Sequence, residues 1–248
     1  MGKLLRHRHT KGPVSARLHL NCRATPRLHL TTRLWFITLA FRPGFASAAP
    51  CYYSWVWAAF GRSGKPFPMQ VYVIKVTLLG TSPPVWRRVL VQRDITLRNL
   101  HRTLQTAMGW TNSHIHQFVF KRQKYSDPKY GLGGGIIDEN RTRLGDLICS
   151  AGAKLLYEYD FGDGWQHELL LEEILLGDES FRQICVAGKR NCPPEDCGGP
   201  HGFSELLKVL QDATHPGHED IREWVGEDFA PEYFAVDEIN RKLRRGKH

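Results

Sequence analysis

From Met69 onward the chain sets apolar against polar positions with the period of a strand. Val71-Tyr72-Val73-Ile74-Lys75-Val76-Thr77-Leu78 is rich in β-branched and aromatic residues, and Val85-Trp86-Arg87-Arg88-Val89-Leu90-Val91 repeats that pattern after turn chemistry at 80–84. The two runs predict a hairpin. Asp94-Ile95-Thr96 supplies an N-cap, and Leu97, Leu100, Leu104, Ala107 and Met108 then recur at helical spacing up to Gly109. This predicts a one-sided amphipathic helix, with Arg98, His101, Arg102 and Gln105 elsewhere on its surface. Residues 113–120 predict a third strand, on which His114, His116 and Phe118 share one face. Residues 125–138 read as a Gly-rich loop without the spacing, or the Lys-Ser/Thr, of a phosphate-binding loop. Residues 142–148 predict one helical turn. Strands follow at 154–159 and 167–174, joined by Asp160-Phe161-Gly162-Asp163-Gly164-Trp165. Short helices are expected at 203–210, 219–225 and 236–243, separated by Pro and Gly. The order predicts an α+β domain over 69–248: a β-grasp-like mixed sheet on one main helix, with a C-terminal set of short helices.

The first 68 residues break this picture. They show no lasting periodicity and carry eleven Lys and Arg but no Asp or Glu. The whole chain has 34 basic and 25 acidic residues, a formal charge of +9, so residues 69–248 keep 23 basic residues against all 25 acidic ones and stand at −2. The basic character belongs to the arm, and the charge of the whole chain is no argument for nucleic-acid binding by the domain. Three readings fit residues 1–68: a basic arm for nucleic acid or an anionic membrane surface, a targeting segment, or an upstream translated extension preceding a start at Met69. The clean change of pattern at Met69 favours the extension. No run of 18 or more apolar residues occurs, so no spanning helix is expected. Six cysteines are too few for a disulfide framework in 248 residues, which points to reduced thiols and the cytoplasm, with targeting by residues 1–68 left open.

Three blocks carry the candidate chemistry. The first runs through Pro84-Val85-Trp86-Arg87-Arg88-Val89, Leu100-His101, Met108-Gly109-Trp110 and His114-Ile115-His116-Gln117-Phe118. The second is Tyr157-Glu158-Tyr159-Asp160-Phe161-Gly162-Asp163-Gly164-Trp165 with His167. The third is Cys192-Pro193-Pro194-Glu195-Asp196-Cys197-Gly198-Gly199-Pro200 with Gly202-Phe203. In this order they resemble the plasmid pRiA4b ORF-3-like family, also described as transposon passenger proteins. The resemblance covers residues 69–243 and implies an α+β domain found on chromosomes, plasmids and mobile elements. It implies no biochemical activity.

The residue types suggest several uses. Arg87 and Arg88 point to opposite faces of a strand, so one must turn inward, where Glu158 or Asp160 is the expected partner. Candidate binding residues are Arg87, Arg88, His101, Trp110, Asp160, Asp163, Trp165, Glu195 and Asp196. Candidate metal ligands are His114, His116, His167, Cys192 and Cys197, which suit Zn or another divalent ion, although one Cys pair needs ligands from elsewhere. Asp163 and His167 are placed to form a carboxylate–imidazole pair. A turn and a rigid docked loop account for the same residues structurally. With no complete catalytic set and no established cofactor, the leading reading is a binding or accessory module for a protein or nucleic-acid partner, in mobile-element biology. The alternatives are a metal-dependent hydrolase built on the His/Asp/Cys residues, and a redox-sensing Cys192–Cys197 pair. The metal reading requires the three blocks to meet in space.

Overall fold

The computed structural model describes residues 69–246. The readings made for residues 1–68 lie outside the described residues. In chain order the elements are β1 (Met69–Leu78), β2 (Trp86–Gln92), α1 (Leu97–Met108), β3 (His116–Phe120), β4 (Gln123–Ser126), β5 (Ile136–Asp138), α2 (Leu144–Leu147), β6 (Lys154–Tyr159), β7 (Trp165–Gly177), β8 (Ile184–Lys189), α3 (Gly199–Gln211), α4 (His218–Val225) and α5 (Val236–Arg245). The strands form one eight-stranded sheet in the order β5-β4-β3-β6-β7-β1-β2-β8. The β4–β5 pair is parallel and the others are antiparallel, so the sheet is mixed and the fold is α+β. Among the described residues no helix is long and apolar enough to cross a membrane.

Helix α1 starts where the Thr96 hydroxyl accepts from the Asn99 N–H at 3.3 Å. It stops at Gly109, whose φ of 89° suits a residue without Cβ. Leu97, Leu100, Leu104, Ala107 and Met108 join Tyr72, Ile74, Val76, Val89, Phe118, Tyr157 and Leu169 in one core. The helix is more deeply enclosed than a one-sided pattern predicts, because α5 lies against it, and His101, Thr103, Gln105 and Thr106 are also buried. Strands β4, β5 and β8 were not expected. The first two span four and three residues, too short to show a period of two, and they flank the Gly-rich loop. Strand β8 covers the outer edge of β2, and its Ile184, Cys185 and Val186 give no clean alternation.

The inward-facing arginine is Arg87, which is 3% exposed. Its partners are not the expected carboxylates. The guanidinium donates to the carbonyls of Ala107 at 2.9 Å, Trp86 at 2.8 Å and Lys189 at 3.0 Å, and to the Cys192 sulfur at 3.2 Å. The Phe234 ring lies 4.9 Å away. Ala107 is in the last turn of α1, where carbonyls lack helical partners and the helix dipole favours a cation. Carbonyl dipoles and an aromatic face thus replace the carboxylate. Arg88 lies on the other face and pairs with Glu172 through contacts of 2.5 and 3.0 Å. Glu158 accepts from Gln117 and Gln166 instead.

Two imidazoles are also enclosed. Burial, with the neighbouring His116 as a lesser cause, drives His101 down to about 3, and burial drives His167 down to about 3. An unfolded histidine binds its proton near pH 6.5, so these two rings favour the folded state fully above that pH and progressively less as pH falls towards 3. The urea midpoint is therefore expected to drop between pH 7.5 and pH 5, with each ring costing about 2 kcal/mol by pH 5. A flat profile contradicts the burial of these rings. In the same assay Arg87→Met should cost about 3 kcal/mol, because it strands buried carbonyls, whereas Arg88→Met should cost less than about 1 kcal/mol. Equal losses would contradict the assignment of Arg87 to the interior.

Candidate functional site

The three sequence blocks meet at one end of the sheet, where β3 begins and β6 ends. Register sets the meeting point. His116 pairs with Tyr159, and the ladder runs one step further through the Asp160 N–H to Ile115 carbonyl bond of 2.9 Å. His114 is thus brought beside Asp160. The turn after β6 is held by Asp160 itself, at φ 55°, whose Oδ1 accepts from the N–H groups of Gly162 at 3.0 Å and Asp163 at 3.3 Å. The Gly164 N–H closes the turn on the Asp160 carbonyl at 2.6 Å.

The third block docks onto this turn through Gly199. A Cβ built there would lie 2.2 Å from the Asp163 carbonyl oxygen, so only glycine permits the approach. Glu195 then reaches both other blocks. Its Oε1 accepts from the Tyr159 hydroxyl at 2.5 Å, and its Oε2 accepts from the Thr111 N–H at 3.0 Å and the Thr111 hydroxyl at 2.5 Å. Burial pushes the Glu195 carboxyl up, but donation from Thr111 and Tyr159 outweighs it, and the group sits below its ordinary value. The same environment raises Tyr159, through burial first and its bond to Glu195 second. The Tyr159 oxygen also accepts from the N–H groups of Ser113 at 3.1 Å and His114 at 3.3 Å. Trp110 adds a second link, donating its indole N–H to the Pro193 carbonyl at 2.9 Å while stacking on Tyr159 at 5.0 Å.

At this junction His114 faces two carboxylates. Its Nδ1 lies 3.6 Å from Asp160 Oδ2 and its Nε2 lies 3.4 Å from Asp196 Oδ1. The other expected ligands go elsewhere. Strand β3 starts at His116, so His114 does not share its strand face. His116 bonds Glu139 through Nε2 at 2.7 Å and stacks on His101 at 3.4 Å. His101 is in turn held by the Tyr157 hydroxyl at 2.8 Å and Asn112 Oδ1 at 2.7 Å. The Asp163–His167 pair does not form: His167 Nδ1 faces the Tyr157 carbonyl at 3.3 Å, while Asp163 Oδ2 has no hydrogen-bond partner. Trp165 is buried beside Trp110, at 5.9 Å between rings. Cys192 packs on Arg87 and Met108. Burial pushes the Cys192 thiol up to about 11 and the Cys197 thiol up to about 12, the latter with the Asp163 charge as a lesser cause. Nucleophilic attack uses the thiolate, so neither sulfur is prepared for that role at neutral pH.

A cleft of about 390 Å³ adjoins the junction and shares Trp110 and Thr111 with it. Its walls also carry Arg102 from α1, Lys242 and Arg245 from α5, and Gln105 and Asn112. Reading the sequence missed this convergence. Arg102 is mid-helix, and the α5 cations resemble the usual basic last turn of a helix. Only the packing of α5 on α1 makes one cluster of them.

The chain is 39% identical over 181 residues to uncharacterized protein y4hQ of Sinorhizobium fredii (strain NBRC 101917 / NGR234), a match covering 69% of this chain and 93% of that protein. It is similar to the crystal structure of the protein of unknown function MM3350 from Methanosarcina mazei Go1, with a TM-score of 0.63, 37% identity, and coverage of 68% of this chain and 97% of that one. The family profile described as plasmid pRiA4b ORF-3-like protein matches residues 70–238. With all three blocks inside that span, the chain belongs to the plasmid pRiA4b ORF-3-like family.

Proposed function

We propose that the domain is a non-catalytic binding module for a nucleic-acid strand, which it holds by phosphate groups in the cleft between α1 and α5. The observation that carries this reading is the meeting of Arg102, Lys242 and Arg245 around one cleft. Among the described residues none of the three has a carboxylate within ion-pair distance. The dipole at the end of α5 explains basic residues in its last turn, but it does not explain Arg102 on the opposite wall. Residues 69–248 stand at only −2, so three unpaired cations around one cleft form a local positive site. Exposed Asn112 beside them adds a donor for sugar or base edges through Nδ2, its Oδ1 being held by His101.

Other features support binding over chemistry. The thiols of Cys192 and Cys197 are held protonated, and His101 and His167 are neutral and enclosed. Cys185, Cys192 and Cys197 are free thiols, which suits a reducing compartment such as the cytoplasm. The plasmid origin in the family's description supports a role in mobile-DNA biology.

The test compares the full chain with its Arg102→Ala/Lys242→Ala/Arg245→Ala variant, so that the basic arm is the same in both. Fluorescence anisotropy is read with a labelled single strand of about 12 nucleotides, across salt concentrations. The variant should bind at least about tenfold more weakly at low salt and lose about two to three units of salt slope. Equal affinity in both proteins places binding outside the cleft and overturns the reading, as does no binding by either. Competition by inorganic phosphate separates simple phosphate recognition from recognition of the strand.

A further inference from the structure

His114, Asp160 and Asp196 come from three separate blocks, and one donor atom from each lies within 4.8 Å of the others. Two carboxylates and one imidazole therefore share a small volume. Among the described residues no Lys or Arg lies within ion-pair distance of Asp160 or Asp196. Negative charge gathered without a cation needs compensation. The local structure also prepares the donors. Both bonds to Asp160 Oδ1 come from its own turn, which leaves Oδ2 turned to His114. The His114 ring stands edge-on to Tyr159, at 5.8 Å and 83°. Its Nε2 is closed off from solvent and has no hydrogen-bond partner. Asp196 Oδ1, at 3.4 Å, is the carboxylate oxygen that faces it.

We propose that His114, Asp160 and Asp196 bind a divalent transition-metal ion of the Zn²⁺ or Mn²⁺ class. Metal–ligand bonds of about 2 Å place neighbouring donor atoms roughly 3–3.5 Å apart, so one His114 nitrogen and one oxygen of each aspartate, all within 4.8 Å of one another, close on an ion by small side-chain rotations. The donor set of one imidazole nitrogen and carboxylate oxygens suits Zn²⁺ and Mn²⁺. Nearby Glu195 is occupied by Tyr159 and Thr111 and contributes no ligand. The Asp196 side chain is 73% exposed, so the ion has a path in from solvent and its remaining positions face water. This site is independent of the phosphate cleft and stands or falls separately from it.

The full chain, stripped with chelator, is titrated with Zn²⁺, Mn²⁺ and Co²⁺, following the thermal unfolding midpoint and, for Co²⁺, the visible spectrum. One equivalent of at least one ion should raise the midpoint in a concentration-dependent way, and Co²⁺ should give a ligand-field spectrum without thiolate charge-transfer bands. Asp196→Asn leaves the packing intact because the side chain is exposed, and it should weaken binding about tenfold or more. His114→Gln should remove the Co²⁺ spectrum. The proposal is overturned if the wild type gains no stability from any of the three ions. It is also overturned if Asp196→Asn and the wild type bind alike, or if the Co²⁺ spectrum carries thiolate bands.

Discussion

The Glu195 carboxylate holds the functional end of this domain together. It receives three hydrogen bonds from two other parts of the chain, Thr111 before β3 and Tyr159 at the end of β6. Hydrogen bonds to an ionised acceptor are shorter and stronger than neutral ones, and here they outweigh the desolvation that pushes the carboxyl up. Gly199 permits the close approach that Glu195 needs, and Trp110 reinforces it through the Pro193 carbonyl. Without these ties the loop 192–200 has few buried apolar side chains of its own, and Asp196 would have no fixed position beside His114.

A chain of polar contacts behind this clasp gives the end of the sheet a defined shape. Gln105 donates to Tyr157, accepts from the Asn112 N–H, and so fixes the segment leaving α1. His101 joins the same Tyr157 and Asn112. A buried network specifies geometry when its members are satisfied, and each missing partner is costly. The unpartnered atoms in this region are His114 Nε2, His116 Nδ1, Asp163 Oδ2, Trp165 Nε1 and His167 Nε2, all at or behind the junction. Their clustering separates this end of the sheet from the well-satisfied remainder. The cleft and the cation site border the same clasp, since Thr111 lines the cleft and bonds Glu195, the neighbour of Asp196.

Much of the scaffold was legible because period and burial coincide. The alternation of Val71 to Leu78, the helical spacing of Leu97 to Met108 and the caps Thr96 and Gly109 correspond to β1 and α1 directly. Strands β4 and β5 were not legible, because three or four residues carry no period, and β8 lacks clean alternation. Inward burial of one of Arg87 and Arg88 was legible from strand alternation, but its carbonyl partners were not, since main-chain oxygens leave no mark in a sequence. Within the site, His114, Asp160, Glu195 and Asp196 stood out individually. Their grouping depended on a register that starts β3 at His116 and on a glycine contact that no motif displays. Asp163 was the acid expected to meet an imidazole, whereas the turn geometry gives that place to Asp160. Thr111 was passed over, although its place directly after Trp110 in the first block is a signal that could have found it.

The coupling between Tyr159 and Glu195 tests the account most directly. A double-mutant cycle of Tyr159→Phe and Glu195→Ala, read by urea unfolding at neutral pH, isolates the bond that joins the second and third blocks. A charge-assisted hydrogen bond in this setting predicts a coupling of about 1.5–3 kcal/mol. Substitutions that add to within about 0.5 kcal/mol would show that the two groups do not act together, and the convergence of the blocks would then lack the interaction assigned to it.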